Sequence, residues 1–225
     1  MSVAPRLILF DIDGTLLMGK GIGREATRRA ILEVFGTEGG LAQHNFGGKT
    51  DWLTLTEVLS LPAEMVGRQM ADYERVLAWH MAAIVAEYQI DALPGALEVI
   101  ATLRARKDVV LGIVTGNVSS TAPIKLQAAG FDPAWFPIGA FGSEALARDD
   151  LPGMALLRAM QYTGMSIAPQ QMIVVGDTEA DIQCARASGA QAVAVSTGFT
   201  PREKLVAAQP DHLLDHLAEL LAIVG

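Results

Sequence analysis

Two aspartates separated by one residue stand directly after the first apolar run of the sequence. The run covers residues 7–10, and Asp11, Asp13 and Gly14 follow it. A run that is apolar at every position is typical of a strand buried on both faces, and Gly14 allows the chain to turn at its end. Two carboxylates this close repel each other, so the spacing predicts a site where a divalent cation keeps both ionised. The alternative is a polar turn that is acidic without function.

A second polar segment follows the apolar run 109–114. It contains Thr115, Gly116 and Asn117. A hydroxyl and successive backbone amides between a strand and a helix can hold a phosphate group. Thr-Gly-Asn is equally common in ordinary turns, so this segment alone does not distinguish a phosphate site from a turn.

A third polar segment, Gly-Asp-Thr-Glu-Ala-Asp, follows the apolar run 172–175. Its aspartates, Asp177 and Asp181, are four residues apart around an expected helix start. One of them can ligate a metal while the other supports it. The alternative is that both acids only cap the helix N-terminus.

The first of these segments resembles a known family. Asp11-Ile12-Asp13-Gly14-Thr15 is similar to the first motif of the haloacid dehalogenase-like (HAD) hydrolase superfamily. The resemblance implies that Asp11 is a nucleophile that forms an aspartyl-phosphate, and that Asp13 is the general acid and base. Members that dehalogenate or cleave carbon–phosphorus bonds lack the second acid, so Asp13 implies phosphoester chemistry. The implied substrate is a small phosphorylated metabolite of the phosphoglycolate or sugar-phosphate type.

The second motif extends the resemblance. In the family a Ser or Thr at this place holds the transferring phosphoryl group, which implies this role for Thr115, with Gly116 and Asn117 as substrate-binding neighbours. The motifs occur in the family's order, each after an apolar run, and the resemblance spans residues 7–199. Coincidence of all of them is improbable.

The last motif of the family implies a magnesium site. Gly-Asp-Thr-x-x-Asp matches it, which implies that Asp177 ligates Mg²⁺ and that Asp181 supports the metal and contacts its site. Asp11 and the backbone carbonyl of Asp13 would complete the protein ligands. Mg²⁺ prefers octahedral oxygen coordination and keeps several waters.

The third motif departs from the family's pattern. It normally supplies a lysine, and the segment 142–152 has none. Arg148 is near the right position and can neutralise the nucleophile and the phosphate, although isolated arginines are commonly surface residues. Lys125 is the second candidate for this cation and for a substrate contact. For Lys125 the sequence favours an exposed position.

The remaining pattern predicts the elements that position these motifs. Apolar runs alternate with helical patterns, which favours an α/β fold: a Rossmann-like parallel sheet with helices on both faces. Ligands of such sheets bind at the carboxyl ends of the strands. Pro94 suits the start of the first of these helices. The further apolar runs are 109–114, 135–140, 172–175 and 192–195. The helical patterns are 95–106, 119–129, 153–163 and 180–188.

Residues 19–92 interrupt the alternation. They contain helical stretches at 24–35, 52–59 and 63–88 and no clear apolar strand. We predict a catalytic core formed by 1–18 and 93–225, with 19–92 inserted as a helical cap domain. Phosphoryl transfer depends on positioning and charge, so the cap is the part expected to select the substrate.

Within the insert, the loop 44–51 joins two helices and contains paired glycines and a cation. It resembles the cap loop that touches substrate in phosphoglycolate-phosphatase-like members, which makes Lys49 and Thr50 candidates for substrate contacts; a simple connecting loop is the alternative. Arg24, Arg28 and Arg29 are expected to form a solvated helix face.

Two other functions compete with a hydrolase. A phosphomutase of the β-phosphoglucomutase kind would use the same nucleophile and acid, and release of free phosphate distinguishes the two. A binding module on an inactive phosphatase core is the second alternative, because the third motif is unusual.

Composition excludes some classes of partner. The 225 residues have a formal net charge of −8, which argues against nucleic-acid binding. The first apolar run is too short for a signal peptide or a membrane span, and Cys184 is the single cysteine, so a cytoplasmic protein without a membrane partner is expected. The pattern does not distinguish a monomer from a homodimer.

Overall fold

A computed structural model describes residues 5–225 and contains a central sheet of six parallel strands and a separate two-stranded pair. In chain order the strands of the described residues are β1 (Arg6–Phe10), β2 (Leu17–Met18), β3 (Asp91–Ala92), β4 (Val109–Thr115), β5 (Ile138–Phe141), β6 (Met172–Gly176), β7 (Gln191–Val195) and β8 (His212–Leu214).

Helices separate these strands and pack around the sheet. The helices of the described residues are α1 (Ile22–Phe35), α2 (Asp51–Leu59), α3 (Ala63–Ile84), α4 (Ala96–Arg104), α5 (Ala122–Ala128), α6 (Leu151–Thr163), α7 (Glu179–Ala187), α8 (Arg202–Ala207) and α9 (Leu220–Val224). Within residues 5–225, none of them combines the length and the apolar character needed to cross a membrane.

The strand order of the large sheet is β5-β4-β1-β6-β7-β8. β1 lies in the middle, with Phe10 opposite Ile113 of β4 and Val175 of β6. The carboxyl ends of these three strands therefore meet at one edge, and each is followed by one of the polar motifs. The parallel sheet between helices confirms the predicted α/β, Rossmann-like fold class.

β1 is apolar at every position because it is covered on both faces. Ile8 and Phe10 belong to one buried cluster, which includes residues of α4 and α5. Leu7 and Leu9 belong to a second cluster, which includes residues of α6 and α7. All four side chains have no solvent exposure. Alternating strand residues thus fill two cores, and this fixes the direction in which the strand ends.

The chain between β1 and β4 leaves and returns through the short antiparallel pair β2–β3. Leu17 lies opposite Ala92, and Met18 lies opposite Asp91. The sequence analysis did not predict this pair, because a two-residue strand has no periodicity to detect. α1, α2 and α3 lie between these strands, and α1 packs along α3. A separate cap domain at 19–92 stays a prediction.

Two predicted helix limits are wrong. The helix expected to start at Pro94 begins at Ala96, because Gly95 has a φ of 79° and so lies outside helical geometry. The helix predicted over 63–88 ends at Ile84 and continues as one 3₁₀ turn.

The N-terminus of α2 is joined to the main sheet by backbone hydrogen bonds. The amide of Asp51 donates to the carbonyl of Gly116 (2.8 Å), and the amide of Trp52 donates to the carbonyl of Gly142 (3.0 Å). A Cβ added at Gly142 would lie 1.8 Å from the Gly116 oxygen. The contact therefore requires a glycine, and it connects the insert to the loops that follow β4 and β5.

We predict that Gly142→Ala destabilises the protein by about 1 to 3 kcal/mol, because backbone has to move to admit a methyl group. Urea denaturation measures the change. Gly153→Ala is the matched control: it lies in α6 with no atom within 4 Å of the added Cβ, so it should be neutral or stabilise by up to about 1 kcal/mol. Equal stability of the two variants would contradict the close contact.

Candidate active site

Three buried carboxylates meet at the carboxyl edge of the sheet. Asp11 follows β1, Asp177 follows β6, and Asp181 lies in the first turn of α7. One oxygen of each lies within 4.8 Å of the others, and none of the three residues is more than 6% exposed. Because β1 and β6 are hydrogen-bonded neighbours, residues far apart in the chain reach one point.

Asp177 is held from two sides. The amide of Phe199 donates to its Oδ2 (2.9 Å), and the hydroxyl of Thr15 donates to its Oδ1 (3.4 Å). A Cβ on Gly198 would lie 1.8 Å from Oδ2, so only glycine fits there. The sequence did not identify the loop after β7 as part of the site. Gly198, three residues after the apolar run 192–195, was the available signal.

Burial and mutual repulsion disfavour ionisation of Asp11 and Asp177. Burial raises the pKa of Asp177 to about 8, and the carboxylates of Asp11 and Asp181 add to the shift. Burial also raises the pKa of Asp11 to about 6, although Arg148 opposes the change. A bound cation would reverse both shifts.

Arg148 lies between two of the carboxylates. Its Nη2 is 3.2 Å from Asp11 Oδ1 and donates to Asp181 Oδ1 at 2.5 Å. The residue is 8% exposed, and its Nε has no hydrogen-bond partner in the described part of the chain. It lies immediately before α6, where a third-motif cation was predicted. The guanidinium can therefore offset the charge of Asp11 while donors remain for a further ligand.

Both oxygens of Asp181 are used within the protein. Oδ2 accepts hydrogen bonds from the amide (3.0 Å) and the hydroxyl (2.7 Å) of Thr178, and Oδ1 accepts the bond from Arg148. Thr178 in turn caps α7. From the sequence, helix capping and support of the site were alternatives for Asp181. In the structure this residue does both.

The donor set fits a divalent metal ion. Three carboxylates surround the site, and Arg148 contacts two of them, Asp11 and Asp181. When they are ionised, the cluster carries excess negative charge. Carboxylate oxygens are the ligands that hard divalent cations prefer. Because Asp181 already accepts three hydrogen bonds, Asp11 and Asp177 are the residues best able to offer oxygens to such an ion.

Asp13 lies beside the cluster and contacts the polar residues that follow β4. Lys125 Nζ (2.7 Å) and Asn117 Nδ2 (2.9 Å) both donate to its Oδ2. Asn117 also donates to the Thr115 hydroxyl oxygen. The exposed position favoured for Lys125 is wrong: the residue is 3% exposed, because its ammonium group reaches inward to Asp13 and Asn117.

A cleft of about 410 Å³ opens between these residues and the insert. Asp11, Asp13, Thr115 and Arg148 line one side, and the other side is formed by residues of α1, α3 and the loop before α2. The volume suits a small ligand. Insert residues that line the cleft include Arg24, Thr27, Phe46, Lys49, Leu77 and Met81.

The two candidates in the loop before α2 differ in position. Lys49 lines the cleft and pairs with Glu57. Thr50 is fully buried; its hydroxyl donates to the carbonyl of Leu146 (2.8 Å) and accepts from the amide of Leu53. A substrate contact by Thr50 conflicts with this geometry, because its hydroxyl caps α2 instead.

The arginines of α1 are engaged within the insert. Arg24 donates to the carbonyls of Leu41 (2.6 Å) and His44 (2.8 Å) and lies over the ring of Phe46. Arg28 and Arg29 both pair with Glu25. Arg24 therefore supports the loop before α2, and it lines the cleft although the sequence predicted a solvated face.

Comparisons with known proteins agree with this geometry. A family model described as HAD-hydrolase-like matches residues 151–220. A phosphoglycolate phosphatase of Pseudomonas putida is 29% identical over 96% of this chain and 79% of its own length. A phosphoglycolate phosphatase of Synechococcus elongatus is also 29% identical, over 96% of both chains.

Solved structures share the fold. CbbY of Rhodobacter sphaeroides, solved in complex with phosphate, matches over 96% of both chains with a TM-score of 0.68 and 23% identity. A haloacid dehalogenase-like hydrolase of Streptococcus pneumoniae matches 98% of this chain and 99% of its own, with a TM-score of 0.63 and 23% identity.

Sequence, fold and site lead to one assignment. The polar motifs lie at adjacent strand ends in the order that the resemblance requires, and the relatives align over nearly the whole chain. The family model, the phosphoglycolate phosphatase relatives and the site identify the chain as a phosphatase of the haloacid dehalogenase type.

Proposed function

We propose that this protein is a magnesium-dependent phosphomonoester hydrolase that acts on a small phosphorylated metabolite through an aspartyl-phosphate on Asp11. One observation carries the proposal: Asp11 faces the cleft with Arg148 3.2 Å away and Asp177 within metal-binding distance. A carboxylate held beside a cation at the base of a small cleft can attack an anionic phosphoester that would otherwise be repelled.

In the first half-reaction an Asp11 oxygen attacks phosphorus, and the bond from phosphorus to the leaving oxygen breaks. Asp13 gives its proton to that oxygen, so a neutral alcohol departs. Arg148 offsets the charge that builds up on the phosphoryl oxygens. Mg²⁺ held by Asp11, Asp177 and the backbone carbonyl of Asp13 would further neutralise that charge.

In the second half-reaction water attacks the phosphorus of the aspartyl-phosphate. Asp13, now ionised, accepts a proton from this water, and the bond between phosphorus and Asp11 breaks. Phosphate leaves, and both carboxyl groups return to their starting states. One residue thus serves as acid and then as base.

The segment after β4 supplies the phosphate-binding groups of the proposal. The Thr115 hydroxyl oxygen accepts hydrogen bonds from the amide (3.3 Å) and the side chain (2.8 Å) of Asn117. Its own proton is therefore free to be donated to a phosphoryl oxygen. The backbone at Gly116 lies close to Arg148, because an added Cβ would be 3.3 Å from Nη1.

We further propose that residues 19–92 act as a cap that selects the substrate. The insert forms one wall of the cleft, and Lys49 is a cation on that wall. The name phosphoglycolate phosphatase, carried by two relatives that cover nearly this whole chain, supports a small anionic metabolite such as phosphoglycolate. Lys49 would contact its carboxylate.

The nucleophile is tested by phosphate release from a panel of small phosphoesters, phosphoglycolate and sugar phosphates included, with Mg²⁺ and with chelator. We expect Asp11→Asn to lower kcat by about 10⁴-fold or more, the scale of losing a covalent nucleophile. Asp72→Asn, at an exposed site on α3, should keep full activity. Near-normal turnover by Asp11→Asn would eliminate the nucleophile, and no release by the wild type would eliminate the hydrolase.

Magnesium binding is tested without turnover. At about 100 times its Kd, Mg²⁺ should stabilise the folded protein by about 2.7 kcal/mol and raise Tm by about 5 to 10 °C. Asp177→Asn should remove most of this shift, because one of the two best-placed ligands is lost. Thermal denaturation with and without chelator measures it, and Asp72→Asn should retain the wild-type response. An unchanged response in Asp177→Asn would contradict the ligand assignment.

A further inference from the structure

The protein holds the carboxylate of Asp13 through only one of its two oxygens. Lys125 Nζ and Asn117 Nδ2 both donate to Oδ2, at 2.7 and 2.9 Å. Among residues 5–225, no donor is hydrogen-bonded to Oδ1. The two oxygens of this acid are therefore inequivalent: one is fixed by protein donors, and the other is available.

Lys125 also fixes the orientation of Asn117. Its Nζ lies 2.7 Å from Asn117 Oδ1. An ammonium group has donors and no acceptor, so the amide oxygen must face Lys125. The amide nitrogen then faces Asp13 and Thr115, to which it donates. The orientation of the asparagine that contacts the phosphate-binding hydroxyl thus depends on the lysine.

Lys125 is buried, so its presence is not explained by the general need for charged residues at a soluble surface. Its side chain is 4% exposed, and an unpaired ammonium in such a place would be strongly destabilising. Its charge is offset by Asp13 and also by Asp51, a half-buried acid whose pKa is raised to about 6 by burial and lowered in part by Lys125. The lysine therefore belongs to a charge cluster built around the proposed general acid.

This contact differs from that of the other buried cation. Arg148 contacts Asp11 and Asp181, whereas the ion pair of Lys125 is with Asp13. Each of the two aspartates of the first motif thus has its own cation. A lysine that served only to bind phosphate would instead be expected beside Asp11, where the phosphoryl group must lie.

We propose that Lys125 is a positioning residue for general acid–base catalysis. Together with Asn117 it fixes Oδ2 of Asp13, so that Oδ1 is the oxygen that gives a proton to the leaving group and takes one from water. The inference rests on the proposed function, since it assigns Asp13 the role of acid and base. It adds which oxygen moves the proton and which residues hold the carboxyl group for that step.

The role is tested by the dependence on the leaving group. Benzyl phosphate releases an alkoxide that needs a proton, whereas 4-nitrophenyl phosphate releases a stable phenolate that needs little help. We expect Lys125→Met to lower kcat/KM by about 10²-fold for benzyl phosphate and by less than about threefold for 4-nitrophenyl phosphate, because general acid catalysis contributes 10² to 10⁴. Neither substrate carries a carboxylate, so contacts with a distal carboxylate do not enter.

Controls separate this inference from the proposed function. Lys107→Met, at an exposed position before β4, should leave both values unchanged. Absence of Mg²⁺-dependent phosphate release by the wild type would remove the proposed function itself. The positioning role alone would be overturned by a different result: the wild type is active, and Lys125→Met loses kcat/KM equally on both substrates or loses none.

A double-mutant cycle gives a second readout. If Lys125 acts through Asp13, adding Lys125→Met to Asp13→Asn should change kcat/KM for benzyl phosphate by less than about twofold beyond Asp13→Asn alone. Independent, multiplying losses would overturn the inference.

A crystal structure of Lys125→Met provides a test that needs no turnover. We expect the Asp13 carboxyl group to leave its present orientation while β4 and Thr115 stay in place. An Asp13 side chain unchanged in position, with Asn117 still donating to Oδ2, would overturn the role of Lys125. If the single variant does not fold, the double variant with Asp13→Asn, which removes both members of the ion pair, provides the kinetic test.

Discussion

The repulsion among buried carboxylates at the end of β1 is the constraint on which the site depends. Asp11, Asp177 and Asp181 approach within 4.8 Å of one another, and Arg148 contacts Asp11 and Asp181. Such a group is stable only if hydrogen bonds and opposite charge compensate for it. The neighbouring loops supply the hydrogen bonds: Thr15 and Phe199 donate to Asp177, and Thr178 donates to Asp181.

The sheet makes this concentration of charge possible. A one-residue shift of a strand buried on both faces would move each of its side chains into the opposite core and disrupt the packing of both, so the ends of β1, β4 and β6 are fixed relative to each other. The two buried clusters supply free energy of folding that offsets the repulsion among the carboxylates. The charged side chains therefore stand on a backbone whose position these clusters fix.

Much of this arrangement could be predicted from local sequence. The apolar runs predicted the succession of strands and helices along the chain. The polar residues after these runs predicted Asp11, Thr115 and Asp177 as site residues. The positions of Lys125 and Thr50 could not be predicted, because each depends on a partner more than 90 residues away: Lys125 on Asp13, 112 residues distant, and Thr50 on Leu146, 96 residues distant. The loop at Phe199 was missed since its hydrogen bond to Asp177 comes from a backbone amide, which any residue offers, and Gly198 alone did not indicate the contact.

The docking of α2 has a consequence for exchanging parts between related enzymes. The backbone of Asp51 and Trp52 bonds to Gly116 and Gly142, and the Thr50 hydroxyl bonds to Leu146. By chain order this segment lies inside the insert, but by its bonds it is part of the catalytic scaffold. A chimaera that takes all of residues 19–92 from a relative would place a foreign surface against these loops. One that retains 49–52 would exchange the wall of the cleft and keep these contacts.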